Sequence, residues 1–357
     1  MESTDALDPV KYIFYKLFKM KKTTFALMLL TALAACKNQE IDFPDFDYTT
    51  GYFPYQYPVR TLVLGKDIYD NTNDNNHKFL ISATMGGVYE NKADRIFKIE
   101  VENSLCENAQ FATTKTPIRA LPREYYTLSS PDQITIPAGE VSGNIEVQLT
   151  EAFFNDSAAI GLSYVIPIRI SQATNLDSVL RGKPALPKPD PRVASHWQVV
   201  PKDFTMFAVK YVNPWHGNYF HRGKSTLKDS TGQVIETTTY QQPYVTSDEV
   251  WKLTTTSKSQ VSASGVMRSQ VVSGPLNLLL TFSGENCTVT AGKDFPYKVT
   301  GTGKFITDGD EWGNKKRDAI HVSYEFSDGK NTYSASDILV VRDRGVVMEV
   351  YQPIVTQ

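Results

Sequence analysis

The stretch from Asn213 to the C-terminus constrains the fold more than any other. Short runs rich in β-branched and aromatic residues follow one another there, at 219–224, 234–240, 249–255, 260–271, 276–282, 287–291, 297–306, 318–326, 333–341 and 346–351. Turn residues separate them, as in Asp229-Ser-Thr-Gly232, Ser283-Gly-Glu285 and Ser327-Asp-Gly329. About ten strands in about 140 residues, with no helical periodicity, predict an antiparallel meander. An open meander leaves two exposed edges, and closing it into a barrel removes both. The expectation is therefore an antiparallel β-barrel domain over 213–357.

The first half reads differently. Alternation marks strands near 60–64, 77–84 and 96–102, then 133–136 and 143–149, where Ile145, Val147 and Leu149 face one way. Tyr164 to Ile170, YVIPIRI, is a further strand, and Pro167 inside it points to an edge or a bulge. With 205–212 added, about seven short strands predict an immunoglobulin-like β-sandwich over 50–212. The stretch 181–201 carries five prolines. It is read as a long loop within the sandwich rather than a domain linker, because 205–212 would otherwise leave the sandwich one strand short.

Ahead of both domains lies Met20 to Cys36, MKKTTFALMLLTALAAC. Two lysines, a short apolar run and small residues before a cysteine have the order of a secretory signal. The run is far shorter than the roughly 20 residues of a membrane span. Its end resembles a bacterial lipobox, in which Cys36 is lipidated and becomes the new N-terminus. On this reading 20–35 is the signal peptide, 36–49 a lipidated polar tether, and 1–19 a mis-assigned start upstream of the true Met20.

Charge is balanced, with 37 basic and 39 acidic residues and no basic block, so nothing selects nucleic acid as a partner. Of the three cysteines, Cys106 and Cys287 remain once Cys36 is lipidated. An exported protein permits a disulfide between them. Their placement in separate domains favours two buried free thiols instead.

The lipobox, the acidic tether, and the runs GYFPYQYPVRTLVLG, IPAGEVSGNIEVQL, YVIPIRI, NPWHGNYFHRG and WGNKKRDAIHVSYEF resemble two-domain surface lipoproteins of Bacteroidetes polysaccharide-utilisation loci. The resemblance spans roughly 36–355. It implies an all-β chain: an N-terminal sandwich of formerly unknown function, then a lipocalin-like β-barrel. It also implies an outer-membrane lipoprotein at the cell surface. Such a protein helps capture polysaccharide beside a SusC/SusD-like importer.

Catalytic signals are weak. Asp308, Asp310, Glu311 and Asp318 cluster in TDGDEWGNKKRD, but a glycosidase needs carboxylates facing each other across a cleft, and one turn reads as a solvated hairpin tip. No Gly-x-Ser-x-Gly elbow occurs; Ser262-Ala-Ser-Gly-Val lacks its first glycine. The five histidines form no HExxH, and no metal or cofactor fingerprint appears. His216 and His221, five apart, would face opposite ways in a strand. The expected role is non-enzymatic glycan binding, in which an exposed ring covers a sugar's apolar face. Trp312, in a polar hairpin, is the first candidate; Trp215, Tyr240 and Tyr244 follow. The competing expectation for Trp312 is a ring packed on the barrel rim. Trp251, alternating with Leu253, is assigned to the barrel interior. A structural or adhesive lipoprotein, or a small-ligand barrel without glycan affinity, is the alternative function.

Overall fold

The computed structural model describes Asp45, Phe46 and residues 48–356. The leader, Cys36 and most of the tether lie outside the described residues. The chain is all-β. Its N-terminal part is built on β1 (Thr50–Tyr52), β2 (Pro58–Val63), β3 (Lys78–Gly86), β4 (Arg95–Val101), β5 (Tyr126–Leu128), β6 (Gln133–Ile136), β7 (Ser142–Leu149), β8 (Tyr164–Thr174) and β9 (Phe204–Val212). One sheet runs Ser178–Val179, β1, β3, β7, β5; the other contains β2, β9, β8, β4 and β6 in that order. Alternation sets the facing sides: β3 buries Phe79, Ile81 and Ala83 and leaves Leu80 exposed. These side chains meet Ile145 and Val147 of β7 and Phe97, Ile134, Ile166 and Tyr211 of the opposite sheet in one core.

Strands β8 and β9 break the alternation because their sheet is covered on both faces. A second cluster, including Leu105, Phe111, Val165, Met206 and Tyr351, packs on its far side. A strand buried on two faces reads as a continuous apolar run. Pro167 accordingly sits in a central strand, between β9 and β4, rather than at an edge. Its carbonyl accepts the Glu102 N–H at 2.9 Å. The missing N–H therefore lies on the β4 side, where the β4 ladder is only beginning at Ile168–Val101. The register shifts shortly after, between Ile170 and Gln172. In the proline-rich stretch, Lys183–Pro184 pairs with Trp197–Val199, after which β9 runs antiparallel to β8 and parallel to β2.

The C-terminal part is a closed barrel of eight antiparallel strands. Its strands are β10 (Gly217–Lys228), β12 (Glu249–Ser257), β13 (Gln260–Val266), β14 (Pro275–Ser283), β15 (Asn286–Ala291), β16 (Thr300–Trp312), β17 (Lys315–Ser327) and β18 (Thr332–Asp343). β18 returns to pair along β10 from Asn218 to Lys228. β11 (Val234–Tyr240) folds back on the second half of β10, and β12 takes the first half. Every second residue points inward: Tyr219, Trp251, Leu253, Leu278, Leu280, Val322 and Tyr324 are all buried in one cluster. Trp251, at 2% exposure, fills the interior as its alternation with Leu253 implies.

The barrel ends before the chain does, which corrects the expected boundary at 357. Past Gly345, held at φ 63°, β19 (Glu349–Val350) pairs with β2, and β20 (Pro353–Val355) pairs with Ala109–Phe111. Tyr351 anchors this tail: it is buried in the far-side cluster and donates its hydroxyl to the Met206 carbonyl at 2.9 Å. Cys106 and Cys287 are free and buried. Burial pushes the Cys287 thiol up to about 11. No helix among the described residues is long and apolar enough to cross a membrane.

Candidate functional site

The site is built where barrel and sandwich meet. Arg344, at the end of β18, is 8% exposed and has no carboxylate partner among the described residues. Its guanidinium donates instead to four backbone carbonyls: His216 at 2.8 Å, Leu64 at 3.0 Å, Lys66 at 2.8 Å and Asn213 at 2.6 Å. Burial lowers its pKa from the ordinary arginine value. The four acceptors supply the compensation that a buried charge requires. Beside it, the Thr255 N–H donates to His216 Nδ1 at 3.1 Å. Burial, then the Arg344 charge, holds the His216 imidazole down at about 4.

The long β16–β17 hairpin leans against the same junction. Its register jumps from Ile306–Ala319 to Asp310–Arg317, so three residues of β16 face Asp318 alone. Asp308 adopts φ 53° in this bulge, and its N–H bonds Asp318 Oδ1 at 3.0 Å. Lys66 closes the arrangement, with Nζ 3.1 Å from Asp318 and 3.3 Å from Asp308. The acidic cluster that the sequence places at a solvated tip thus includes a buried anchor: Asp318 is 8% exposed.

Between hairpin and sandwich opens a cleft of about 370 Å³. Its lining includes Ile68, Tyr69, Arg317, Arg342 and Val347. Tyr69 is 76% exposed, a free ring in a polar loop. A ladder of rings and guanidiniums supports this lining. Arg317 lies 3.8 Å over the Trp312 ring, Trp312 meets Phe220 edge-on at 5.6 Å, and Arg342 lies 5.8 Å over Phe220. Trp312 Nε1 donates to the Val341 carbonyl at 3.0 Å.

The sequence candidates are scattered by this geometry. Trp312 is half-buried, with one face under Arg317 and its N–H spent, so it braces the cleft and presents no open platform. Trp215 stacks on Phe282 at 4.0 Å and 7°, packed against the barrel core. Tyr240 points into a buried cluster and donates its hydroxyl to Asp337. Tyr244 is 74% exposed in the loop before β12. Tyr69, Arg317 and Arg342 were missed. Tyr69 was findable by the logic applied to Trp312, a large ring among turn residues. Nothing in the local pattern marks which arginines the fold brings together.

Two other places have the right chemistry in the wrong setting. Inside the barrel, His221 stacks on Trp251 at 3.7 Å and on Tyr240 at 5.2 Å, with Glu249 at 3.3 Å from Nδ1. Asp337 lies 3.3 Å from Nε2, out of line for a hydrogen bond, and accepts from Tyr240 and Tyr324. Burial and then Asp337 push both phenols far above the ordinary value. Burial pushes Glu249 up, but the Arg268 guanidinium and His221 outweigh it and hold the carboxyl below its ordinary value. The cluster is packed shut by its own rings. On the barrel's outer face, a trough of about 780 Å³ crosses Thr288, Thr302, Ser323 and Ser336, which are cross-strand neighbours. It offers hydroxyls and no exposed ring. Among the described residues no group of three His, Cys, Asp or Glu side chains is placed to hold a metal ion.

Among solved structures, a Bacteroides ovatus protein of unknown function superposes with a TM-score of 0.82 at 35% identity, covering 87% of this chain and 100% of its own. The chain belongs to that protein's family. Two family models divide it: DUF5627, a domain of unknown function, matches 214–345, and one described as an N-terminal domain matches 46–177. The first stops where the chain leaves the barrel at Gly345. A multidomain Bacteroides ovatus protein including DUF1735 (11% identity, 84% and 97% coverage, TM-score 0.40) is too distant to carry an argument. So is a Bacteroides ovatus protein provisionally described as carbohydrate binding (13%, 82% and 98%, 0.28). No curated protein matches the chain.

Proposed function

We propose that this protein is a non-catalytic glycan-binding accessory lipoprotein, tethered through Cys36 to the outer membrane at the cell surface, working beside a SusC/SusD-like transporter. The observation that carries the glycan part is the junction cleft, whose lining combines the free Tyr69 ring with forked guanidinium donors. An aromatic face in one cleft with polar side chains suits a sugar's apolar face and hydroxyl edge. The non-catalytic part is supported by the carboxylates at the cleft, which are engaged. Asp318 holds Lys66 and the Asp308 N–H, Asp343 accepts from Asn218 at 2.6 Å, and Asp67 accepts the Ile68 N–H at 2.6 Å. The small-ligand barrel is disfavoured, because Trp251, Leu253 and their neighbours occupy the interior.

Affinity electrophoresis of the mature chain against a panel of neutral and acidic polysaccharides tests the reading. At least one polymer is expected to retard the wild type, and Tyr69→Ala to weaken that retardation about tenfold, the loss of one stacked ring of roughly 1.4 kcal/mol. Mobility unchanged by every polymer would overturn it and favour a structural or adhesive role.

A further inference from the structure

We infer that the junction cleft recognises an acidic sugar, one whose ring carries a carboxylate or a sulfate ester, through the guanidiniums of Arg317 and Arg342. This rests on the glycan reading above and names the class of glycan.

The argument starts from where each positive charge at the junction is spent. Lys66 is shared between Asp308 and Asp318, and Lys316 pairs with Glu311 at 3.5 Å. Arg344 is consumed by four carbonyls. Arg317 has neither kind of partner: no carboxylate lies within ion-pair distance of it among the described residues, and its Nε is buried without an acceptor. What it can present to a ligand is the pair of terminal nitrogens. Arg342 has Asp343 at 3.3 Å, with side chains 47% and 42% exposed. A pair that open to water holds its partners weakly and yields to a better-aligned anion.

Both guanidiniums are also held in place. Trp312 lies under one and Phe220 under the other, and the two rings brace each other. Stacking fixes the plane of a guanidinium while leaving its N–H edge free. The rotamer entropy of a long arginine is thereby partly spent before a ligand arrives, which favours bidentate binding of a planar or tetrahedral oxyanion. A bare anion would have no use for the apolar part of the lining, where Tyr69, Ile68 and Val347 are each more than 70% exposed. An acidic sugar uses both parts: its ring face against Tyr69, its oxyanion on the arginine fork.

The test is calorimetric titration of the mature chain with polygalacturonate, the same polymer after carboxyl reduction, a sulfated galactan and its desulfated form. At least one acidic polymer is expected to bind about tenfold tighter than its neutral match, and a preference for the uronate or the sulfated pair tells the two anions apart. Arg317→Gln should bring the acidic-to-neutral affinity ratio down to about one, with the acidic polymer losing about tenfold and its neutral match much less. Since Arg317→Gln also disturbs the Trp312 stack, its melting temperature is measured alongside. If the fold is compromised, Arg342→Gln and the salt dependence of the wild type decide instead, with the acidic preference shrinking between about 0.05 and 0.5 M salt. Equal affinity for each acidic polymer and its neutral match would overturn this inference and leave glycan binding standing. Binding neither to these four nor to any polymer of the wider panel would overturn both.

Discussion

The barrel interior and the junction both bury charge beside aromatic rings, and they settle it in different currencies. Inside the barrel, side chains answer side chains: Asp337 on β18 accepts from Tyr240 on β11 and Tyr324 on β17, and His221 on β10 lies between Glu249 and Asp337. Each partner comes from a different strand, so the cluster is satisfied in one register only. At the junction the backbone answers instead, with Arg344 gathering carbonyls from the end of β2 and from the segment joining β9 to β10. Such a lock specifies where two chain segments sit and is indifferent to their side chains. The lesson is that the first arrangement closes on itself, whereas the second leaves Arg317 without an ion pair and Arg342 in an open, exposed one at its rim.

The largest expected effect sharpens this contrast. Arg344→Met removes the donor that four backbone carbonyls share; Asn213 keeps the His216 N–H at 3.2 Å, so three acceptors are left without it and the change should cost roughly 3 kcal/mol, at on the order of 1 kcal/mol each. Asp337→Asn keeps an acceptor for one tyrosine hydroxyl and should cost about 2 kcal/mol. Urea unfolding followed by tryptophan fluorescence measures both. The reverse ranking would mean that the barrel cluster, and not the carbonyl lock, dominates the stability of this unit.

A pH scan probes the same lock from the other side. His216 is neutral in the folded state, because the Thr255 N–H needs an unprotonated Nδ1 and burial beside Arg344 opposes a second positive charge. Its folded value, about 4, lies below the ordinary 6.5. Above pH 6.5 neither state binds the proton and the group costs nothing. As pH falls below 6.5 the unfolded chain gains the proton first, so stability declines toward pH 4 and then levels off. Between pH 7 and pH 5 the loss should be about 2 kcal/mol, at roughly 1.4 kcal/mol per pH unit. His216→Gln should flatten that limb. The lowered Glu249 carboxyl acts in a different window, losing its contribution only as pH falls below the ordinary carboxylate range. A decline confined to that lower window would assign acid sensitivity to the barrel cluster instead of the junction.

What was legible in the sequence follows from how local each signal is. The strand 133–136 coincides with β6, and 234–240 with β11, because alternation and turn residues act over a few positions. Runs at 297–306 and 318–326 were shorter than β16 and β17, since Thr307, Asp308 and Gly309 read as a turn where the fold makes a bulge and then resumes pairing to Trp312. Pro167 misled because proline speaks for its own missing N–H and not for how many strands lie on either side. The tail 346–356 misled because pairing with β2 and Ala109–Phe111 depends on strands some 240 to 290 positions away. The site lies at that same distance: Tyr69 and Arg317 come to line one cleft only after both domains have formed, and no period or motif connects them.

The smallest expected effect is the sharpest test of where a ligand sits. Tyr69 and Tyr244 are exposed almost equally, at 76% and 74%, and each is a large ring in a polar loop. Exposure alone would rank them together, and the sequence favoured Tyr244. They differ in company: Tyr69 lines the cleft with Arg317 and Arg342, while Tyr244 precedes a short turn ahead of β12 and lines no part of that cleft. Tyr244→Ala should change stability by less than about 0.5 kcal/mol, as expected for a surface ring with few contacts, and should leave polysaccharide retardation at the wild-type level. The same gels that report Tyr69→Ala report this. A loss of retardation in Tyr244→Ala equal to that in Tyr69→Ala would move the binding surface to the β11–β12 loop, and the arginine ladder would then be bracing a hairpin and nothing more.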